Sequence, residues 1–367
     1  MDNRIFIIHG RNYKEMAEAV LQKAEVAAHI GAKDRRIGIK PNYLASLEPD
    51  MGATTHTALV EGVLSYLTKA GFQDITVMEG SWVGARTGEA FRELGVDSLC
   101  KKYGAKLADL QKDTAKTYDC QGMEIQICDT ARNVDYMINM PVLKGHCQTI
   151  VTCALKNNKG VIPNSEKRRF HSLGLHKPIA HLNTVVRNDF ILVDNICGDL
   201  DFEEGGNPVP MDRVLGFFDP VLCDAFACET MGYNPAEVEY IRLAETLGVG
   251  SMDLASAERV LLNEADVSLK DSKEIRKSRR VEKLAKYIKP DNACSACYGM
   301  LVHALARLED EGKWSLKCPK IAIGQGYRGK SSVSEIGIGS CTSGFEKSLP
   351  GCPPKGGEML AFLRRTG

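Results

Sequence analysis

The sequence predicts an α/β protein with a mostly parallel sheet and helices on both faces, followed by a small C-terminal cysteine-rich domain. Three observations predict this class. Short apolar runs alternate with helical segments through the first half of the chain, a pattern typical of parallel strands joined by helices. Polar residues follow several of these runs, where ligands gather in such sheets. After Pro290 the composition changes, and cysteines recur among glycines and prolines.

The N-terminal elements follow from hydrophobic spacing. The apolar run 4–8 predicts a first strand, and the Ala-, Glu- and Lys-rich segment 13–30 predicts a helix. A second strand, 36–40, ends in a Pro-Asn turn. Segment 57–70 carries apolar residues on one helical face and is followed by Gly71, which is typical of a helix end. The order strand, helix, strand, helix favours a parallel sheet.

The same alternation continues to about residue 250. Further strands are predicted at 74–78, 136–143 and 190–193, and further helices at 88–94, 219–232 and 235–247. No internal repeat and no low-complexity tract interrupts this series. The sheet is therefore expected to be the main body of the protein.

A charged segment separates the two predicted domains. The basic run 273–289 is interpreted as a solvated helix between them, because it has few of the aromatic side chains that nucleic-acid binding uses. We predict an α/β domain over 1–280 and a cysteine-rich domain over 281–367. The second domain is expected to contain a helix after Cys294, strands at 320–324 and 334–341, and a final helix at 356–365.

Composition excludes several function classes. The 367 residues contain 47 basic and 47 acidic side chains, so no global field favours nucleic acid or an anionic membrane. No apolar stretch is long enough to cross a bilayer, and the N-terminus lacks a signal-peptide pattern. We therefore expect a cytoplasmic protein with no nucleic-acid or membrane partner.

Thirteen cysteines are many for such a chain, and four of them form a pattern. Cys294 and Cys297 make a C-x2-C pair, Cys341 follows Gly-Ser, and Cys352 lies in Gly-Cys-Pro-Pro. Two thiolates from a C-x2-C pair and two from distant loops can complete a four-cysteine shell around a [4Fe–4S] cluster. A zinc site, a thioredoxin-type redox pair and plain buried thiols remain alternatives.

The segment GIGSC…LPGCPPKGGEML resembles the proximal-cluster segment of nickel–iron hydrogenase small subunits and of the related subunit of NADH:quinone oxidoreductase. The resemblance covers about 70 residues and departs in the short gap between Cys341 and Cys352. It implies one [4Fe–4S] cluster held by Cys294, Cys297, Cys341 and Cys352. It implies nothing about hydrogen chemistry, because the nickel-bearing partner subunit is not in this chain.

Residues 138–171 carry a second pattern, in which an apolar strand leads into lysines and histidines. In order it contains Lys144, His146, Thr152, Leu155-Lys156-Asn157, Gly160-Val161-Ile162-Pro163, Lys167 and His171. With the earlier Lys40-Pro41-Asn42 and the later Val193-Asp194, this resembles the prokaryotic family called domain of unknown function 362 over about 36–250. Many members carry an iron–sulfur module C-terminally, which agrees with the cysteine pattern.

The lysines of this pattern predict an anionic ligand. Lysines packed among apolar residues are costly to bury unless an anion neutralises them, so a carboxylate or phosphate is expected. A desolvated lysine among like charges also has a lowered pKa and can act as a base. The candidate catalytic residues are Lys144, His146 and His171, and the candidate substrate-binding residues are Lys40, Asn42, Lys156, Asn157, Lys167 and Asp194. Lysines that never converge and purely structural histidines are the alternatives.

Three functions fit these features. The first is an oxidoreductase in which the cluster passes electrons to a small anionic substrate held by the Lys/His site. The second is an electron carrier or redox sensor without catalysis, and the third is a non-redox enzyme with a structural cluster. No Gly-x-Gly-x-x-Gly follows the first strand, so electrons are expected from a ferredoxin-like partner rather than a bound nicotinamide.

Overall fold

The computed structural model describes residues 2–206, 208–263, 280–312, 320–354 and 356–366. Its strands are β1 Arg4–His9, β2 Ile37–Pro41, β3 Ile75–Glu79, β4 Lys106–Asp109, β5 Ala115–Asp119, β6 Glu124–Cys128, β7 Tyr136–Met140, β8 Lys144–His146, β9 Ile150–Thr152, β10 Phe190–Asn195, β11 Arg213–Phe217, β12 Glu258–Leu261, β13 Ile288–Pro290, β14 Ile321–Ile323, β15 Ser332–Ile338 and β16 Phe345–Leu349.

The helices of the described residues are α1 Tyr13–Lys23, α2 Val26–Ile30, α3 Thr57–Lys69, α4 Thr87–Glu93, α5 Val96–Tyr103, α6 Asp129–Arg132, α7 Ala154–Asn157, α8 Asn164–Leu173, α9 His176–Leu182, α10 Pro220–Thr230, α11 Glu239–Thr246, α12 Arg280–Ala285, α13 Ser295–Asp310 and α14 Gly356–Thr366. Among the described residues, none of these helices is both long and apolar enough to cross a membrane.

The main sheet has eight strands in the order β12-β1-β11-β10-β7-β2-β3-β4. Neighbouring strands pair in parallel except where β11 meets β1 and β10. Separate apolar cores cover the two faces of this sheet, one involving α1 to α5 and the other α7 to α11. The predicted class, a mostly parallel sheet with helices on both faces, is therefore confirmed.

Two local features of the structure differ from the predicted elements. The predicted helix 13–30 is two helices, because Glu25 takes a left-handed conformation with φ of 54° and ends the regular path after α1. Strand β11 is not predicted from sequence, and it reverses direction between β1 and β10. By contrast, the predicted helix 219–232 matches α10, because the Asp219 carboxylate caps the backbone N–H groups of its first turn.

The C-terminal cysteine-containing region has its own four-stranded parallel sheet, in the order β13-β14-β15-β16. Helices α13 and α14 pack on this sheet around a third apolar core. The main sheet extends at least to β12, which pairs with β1, so the predicted boundary at 280 stays a prediction. The predicted helix over 273–289 is described only from α12 onward, and its first part lies outside the described residues.

The two parts of the chain are joined by apolar and polar contacts. Phe202, from the loop after β10, belongs to the third core and packs edge-on against His303 of α13, with ring centroids 5.6 Å apart. The Gln148 side chain donates to the carbonyl of Ala293, just before Cys294, at 3.2 Å. These contacts place the cysteine-containing region over the carboxyl-end edge of the main sheet.

Candidate active site

One cavity brings together the two groups of residues singled out in the sequence. It is lined by Lys40, Asn42, Lys156, Asn157, Lys167 and His171 from the main domain and by Cys294, Cys297, Cys341 and Cys352 from the C-terminal region. Its volume of about 140 Å³ suits a small molecule rather than a polymer. The lysines therefore converge, and they converge opposite the four cysteines.

Lys40 and Glu79 form a buried ion pair at the floor of the cavity. They lie at the carboxyl ends of adjacent strands β2 and β3, with Lys40 Nζ 2.8 and 2.9 Å from the two Glu79 oxygens. The same carboxylate accepts backbone N–H groups from Tyr43 and Gly80, at 2.8 and 2.7 Å. Burial lowers the pKa of Lys40, and the charge of Glu79 opposes that shift. Lys40 is therefore neutralised by the protein itself.

Gly160 lies directly over this ion pair. A Cβ at this position would stand 2.2 Å from Glu79 Oε1 and 2.4 Å from Lys40 Cε, closer than real contacts allow. The backbone between α7 and α8 can therefore close the floor only with glycine at this position.

We expect Gly160→Ala to lower the free energy of unfolding by about 1–3 kcal/mol, the usual cost of overpacking, because the ion pair has to move apart. Gly357→Ala in α14 is the control for adding a methyl group without overpacking, since an added Cβ would have no atom of another element within 4 Å, and it should gain up to about 1 kcal/mol from helix propensity. Urea unfolding of the two variants measures the difference. Equal stability would mean that the floor shifts without cost.

Lys156 reaches the cavity from α7 and is paired with Glu203. Its Nζ donates to Glu203 Oε1, while the other Glu203 oxygen lies 3.0 Å from His146 Nε2. His146 Nδ1 accepts the backbone N–H groups of Gln148 and Thr149, at 3.1 and 3.0 Å. The proton of the neutral ring is therefore on Nε2. Burial, followed by the charge of Lys156, lowers the pKa of His146 to about 4, so this histidine is neutral at physiological pH.

Two predicted catalytic residues do not line the cavity. His146 lies behind Glu203, and Lys144 is fully buried in β8. The three protons of Lys144 Nζ are used by Asn42 Oδ1 at 3.3 Å and by the carbonyls of Ala53 at 2.6 Å and Glu203 at 3.0 Å. Burial lowers the pKa of Lys144 to about 8. Both residues position the loops around the cavity.

Asp194, predicted to bind substrate, also lies outside the cavity lining. Its carboxylate accepts the backbone and ring N–H groups of His56, each at 2.7 Å. We therefore do not assign Asp194 to the substrate site.

His171 does line the cavity, next to a lysine that the sequence reasoning missed. Lys159 Nζ lies 3.5 Å from His171 Nε2. Burial, followed by the charge of Lys156, lowers the pKa of Lys159 to about 7. Burial and the charge of Lys159 hold the pKa of His171 well below its usual value. The signal for Lys159 was its place in the Lys-Asn-Asn-Lys-Gly run, one helical turn after Lys156.

The cavity carries an excess of positive charge. Lys40, Lys156, Lys159, Lys167, Arg168 and Arg328 line it, against the carboxylates of Glu79 and Glu203. Lys167 donates to the carbonyls of Gly80 and Ser81, at 2.8 and 2.9 Å, and burial lowers its pKa to about 8. Cations that lack carboxylate partners inside a cavity favour an anionic occupant.

The four cysteines come from three turns that face each other. Cys294 precedes α13 and Cys297 lies in its first turn, while Cys341 and Cys352 follow β15 and β16. Burial, followed by the charges of Cys341 and Cys352, raises the pKa of Cys294, and burial with the other thiolates raises that of Cys297 to about 12. Thiolates that line the same cavity in this way would be stabilised by a cationic centre.

Their spacing bears on which centre fits. Tetrahedral zinc holds its thiolates at about 2.3 Å, which brings the sulfurs within about 4 Å of one another. Among the described residues, the two groups with three donor atoms all within 4.8 Å include none of these four cysteines. Within the described residues, no three of the four sulfurs therefore lie within 4.8 Å of one another, and a cluster that binds each thiolate through a different iron does not require them to.

Backbone geometry leaves room between the cysteine loops. Gly339 has φ of 92°, and a Cβ on it would lie 3.8 Å from Cys297 Sγ and 3.6 Å from the Gly351 carbonyl. Ser340 N–H donates to that same carbonyl at 2.8 Å, which ties the loop of Cys341 to the loop of Cys352. Gln325 Nε2 lies 3.5 Å from Cys294 Sγ. The Gln325 donor directed at Cys294 and the small residue beside Cys297 fit an anionic sulfur-rich group.

Comparisons with known proteins match the main domain. Residues 37–229 match the family model described as domain of unknown function (DUF362). The thylakoid-associated protein sll1697 of Synechocystis sp. is 22% identical over 225 residues, which cover 58% of this chain and 68% of that protein.

Two solved structures show a partial likeness. The lactate racemase apoprotein of Thermoanaerobacterium thermosaccharolyticum aligns with a TM-score of 0.42 at 12% identity, covering 62% of this chain and 56% of that one. A Thermotoga maritima protein from a structural genomics consortium aligns with a TM-score of 0.40 at 13% identity, covering 65% and 60%. The chain thus spans less than two thirds of either structure.

Proposed function

The chain belongs to the domain of unknown function 362 family, and from that premise we propose that it is an iron–sulfur oxidoreductase acting on a small anionic substrate. The observation that carries the proposal is the single cavity shared by the four cysteines and the cationic side chains. A substrate bound at the lysines would lie next to the group that the cysteines hold.

Cys294, Cys297, Cys341 and Cys352 are the proposed ligands of one [4Fe–4S] cluster. When bound, such a cluster supplies single electrons, and four cysteine ligands leave no open iron for a hydratase-type reaction. A ferredoxin-like partner is the proposed electron donor. Pro353 and the loop Trp82-Val83-Gly84 close one side of the cavity, because a Cβ on Gly84 would lie 2.9 Å from Pro353.

The lysines and His171 have distinct proposed roles. Lys156, Lys159, Lys167 and Arg168 bind the anionic group of the substrate, while the Lys40–Glu79 pair and Asn157 form the floor. Lys159 Nζ and His171 Nε2 are the proposed proton-transfer pair, because both line the cavity and lie 3.5 Å apart. His146 and Lys144 act indirectly, through the orientation of Glu203 and its loop.

The testing experiment is anaerobic reconstitution with iron and sulfide, followed by electron paramagnetic resonance after dithionite reduction. We expect one reducible cluster whose signal shifts when small carboxylates or phosphates are added. A colourless zinc-loaded protein would overturn both redox functions. A cluster that dithionite does not reduce would favour a structural role. A reducible cluster whose signal does not change with any added anion would favour an electron carrier or sensor.

The lowered pKa values of the cavity lysines predict how anion binding depends on pH. Lys159 and Lys167, with pKa values of about 7 and 8, are charged below these values and neutral above them. Binding of sulfate, which does not titrate in this range, is therefore expected to weaken by about tenfold or more from about pH 6.5 to about pH 9. The measurement is quenching of Trp82, which lines the cavity.

The matched pair of variants for this measurement is Lys167→Met and Lys69→Met. Lys69 is an exposed lysine paired with Glu18 in α1, so its replacement should leave the pH profile unchanged. Lys167→Met should flatten the profile. Sulfate binding that is equally strong at both ends of the range would contradict the proposed role of these lysines.

A further inference from the structure

A second group of donor atoms lies outside the cavity described above. Asp50 Oδ1, His56 Nε2 and Cys197 Sγ all lie within 4.8 Å of one another. His56 Nε2 is 3.2 Å from Asp50 Oδ1 and 3.9 Å from Cys197 Sγ. None of the three residues lines the cavity of the proposed active site, so they form a separate cluster with mixed oxygen, nitrogen and sulfur donors.

Hydrogen bonds to Asp194 hold the imidazole of His56 in one orientation. Asp194, only 1% exposed, accepts both the His56 backbone N–H and the ring Nδ1 at 2.7 Å. Its other oxygen accepts the backbone N–H of Ile196 at 3.2 Å. Because Nδ1–H donates to Asp194, Nε2 is the atom directed toward Asp50 and Cys197. Against the effect of burial, the charge of Asp194 raises the pKa of His56 to about 11, so a metal ion at Nε2 would replace the proton that Nε2 donates to Asp50 Oδ1. A carboxylate behind a histidine in this way is the usual support of a metal-binding imidazole.

The turn that carries Asp50 is also fixed against the turn that carries Cys197. Gly52 has φ of 81°, and a Cβ on it would lie 2.6 Å from the Cys197 carbonyl and 2.5 Å from Asp199 N. Asp199 N–H donates to the Gly52 carbonyl at 3.0 Å. Since the backbones meet this closely, the separation of the two turns is set by the fold.

We propose that Asp50, His56 and Cys197 bind a divalent metal ion of the zinc class, with Asp194 as the positioning residue. A thiolate, an imidazole and a carboxylate together suit zinc, whereas calcium and magnesium prefer oxygen ligands alone. His56 and Cys197 are buried at 7% and 9% exposure, while the Asp50 side chain is 92% exposed. The metal would therefore lie at the surface, with a fourth position open to water.

A cysteine nucleophile activated by His56 is the competing interpretation of the same residues. In that arrangement, Nε2 of His56 interacts with the Cys197 sulfur and with no other group. The sulfur must also be accessible to a substrate. Here Asp50 Oδ1 is nearer to Nε2 than the sulfur is. The thiol is buried and lies 3.7 Å from the Pro49 carbonyl. A shared metal ion uses all three donors, so the geometry favours it.

Cobalt titration of the full-length protein tests the proposal, because Co²⁺ reports thiolate ligation by a charge-transfer band. It is run on the wild type and on Cys294→Ala/Cys341→Ala, so that cobalt at the cluster cysteines is recognised. In the double variant we expect one Co²⁺ per chain with a thiolate band, and we expect this band to be lost when Cys197→Ser is added to the double variant. Asp194→Asn should weaken the affinity 10- to 100-fold.

Asp50→Asn changes a side chain that is 92% exposed, so we expect the variant to fold, and it should weaken binding at least tenfold. Glu48→Gln, an exposed neighbour in the same turn, is the matched control and should leave the affinity unchanged. The proposal is overturned if the double variant with Cys197→Ser added binds as much cobalt, with the same spectrum, as the double variant itself. It is also overturned if alkylation of Cys197 is rapid and unaffected by zinc, which would instead identify a nucleophilic thiol.

Discussion

Replacing Glu79 by alanine is expected to destabilise the main domain by about 3–5 kcal/mol, the cost of leaving a buried charge without its partner. Lys40 is 1% exposed, and its ammonium group would keep only the Pro41 carbonyl and Asn157 Oδ1 as acceptors. The backbone N–H groups of Tyr43 and Gly80 would also lose their acceptor. Urea unfolding followed by circular dichroism measures the loss.

Two further variants separate the charge from the hydrogen bonds. Glu79→Gln keeps one acceptor oxygen and should lose less stability than Glu79→Ala. Glu89→Ala breaks the exposed pair with Arg86 and is the matched control for losing a surface carboxylate, which costs at most about 1 kcal/mol. A Glu79→Ala protein as stable as Glu89→Ala would show that Lys40 sheds its proton or reaches solvent instead of remaining buried as a cation.

For this ion pair, the sequence predicts the position of Lys40 at a strand end but not its partner. Lys40 was predicted at a strand end, and β2 does end there. Its role as a free ligand for an anion was an additional inference, and the structure pairs it with Glu79, 39 residues later. That pairing depends on β2 and β3 being neighbours in the sheet, which periodicity along one strand does not specify.

The sequence also does not predict that the Lys/His motif and the cysteine motif line the same cavity. Each motif was recognisable because its spacing is local, as in the C-x2-C pair of Cys294 and Cys297. The shared cavity arises because the C-terminal region docks on the strand ends through contacts such as Phe202 with His303. The loop of Phe202 has no helical or strand period, so its apolar side chain gave no signal of a domain contact.

The two histidines are a third case in which the sequence alone does not predict the role of a residue. His146 and His171 are alike in the sequence, each next to lysines, yet only His171 lines the cavity. The difference comes from β8, which turns His146 inward so that its Nδ1 accepts two backbone N–H groups. Hydrogen bonds between a side chain and a nearby turn decide such cases, and residue type alone does not reveal them.

Replacing Cys341 by alanine is expected to cause loss of most of the proposed cluster, because one iron would lose its thiolate and become open to water and further oxidation. Cys341 lies on the short turn after β15, and Arg328, whose pKa is raised by a hydrogen bond to this cysteine, lies beside it. The measurement is the iron and acid-labile sulfide content after anaerobic reconstitution. Wild type should hold one cluster per chain, and Cys341→Ala should hold little or no stable iron.

Cys147→Ala is the matched control for this loss. Cys147 packs against the same apolar core as Cys297, is half-buried like Cys341, and does not line the cavity. Its replacement removes a neighbouring thiol without removing a proposed ligand, so the cluster content should match that of the wild type. Equal iron loss in both variants would point to a general effect on folding, and full iron in Cys341→Ala would exclude this residue from the ligand set. Only selective loss at Cys341 supports a centre held opposite the lysines, where a substrate bound at Lys159 and His171 could accept its electrons.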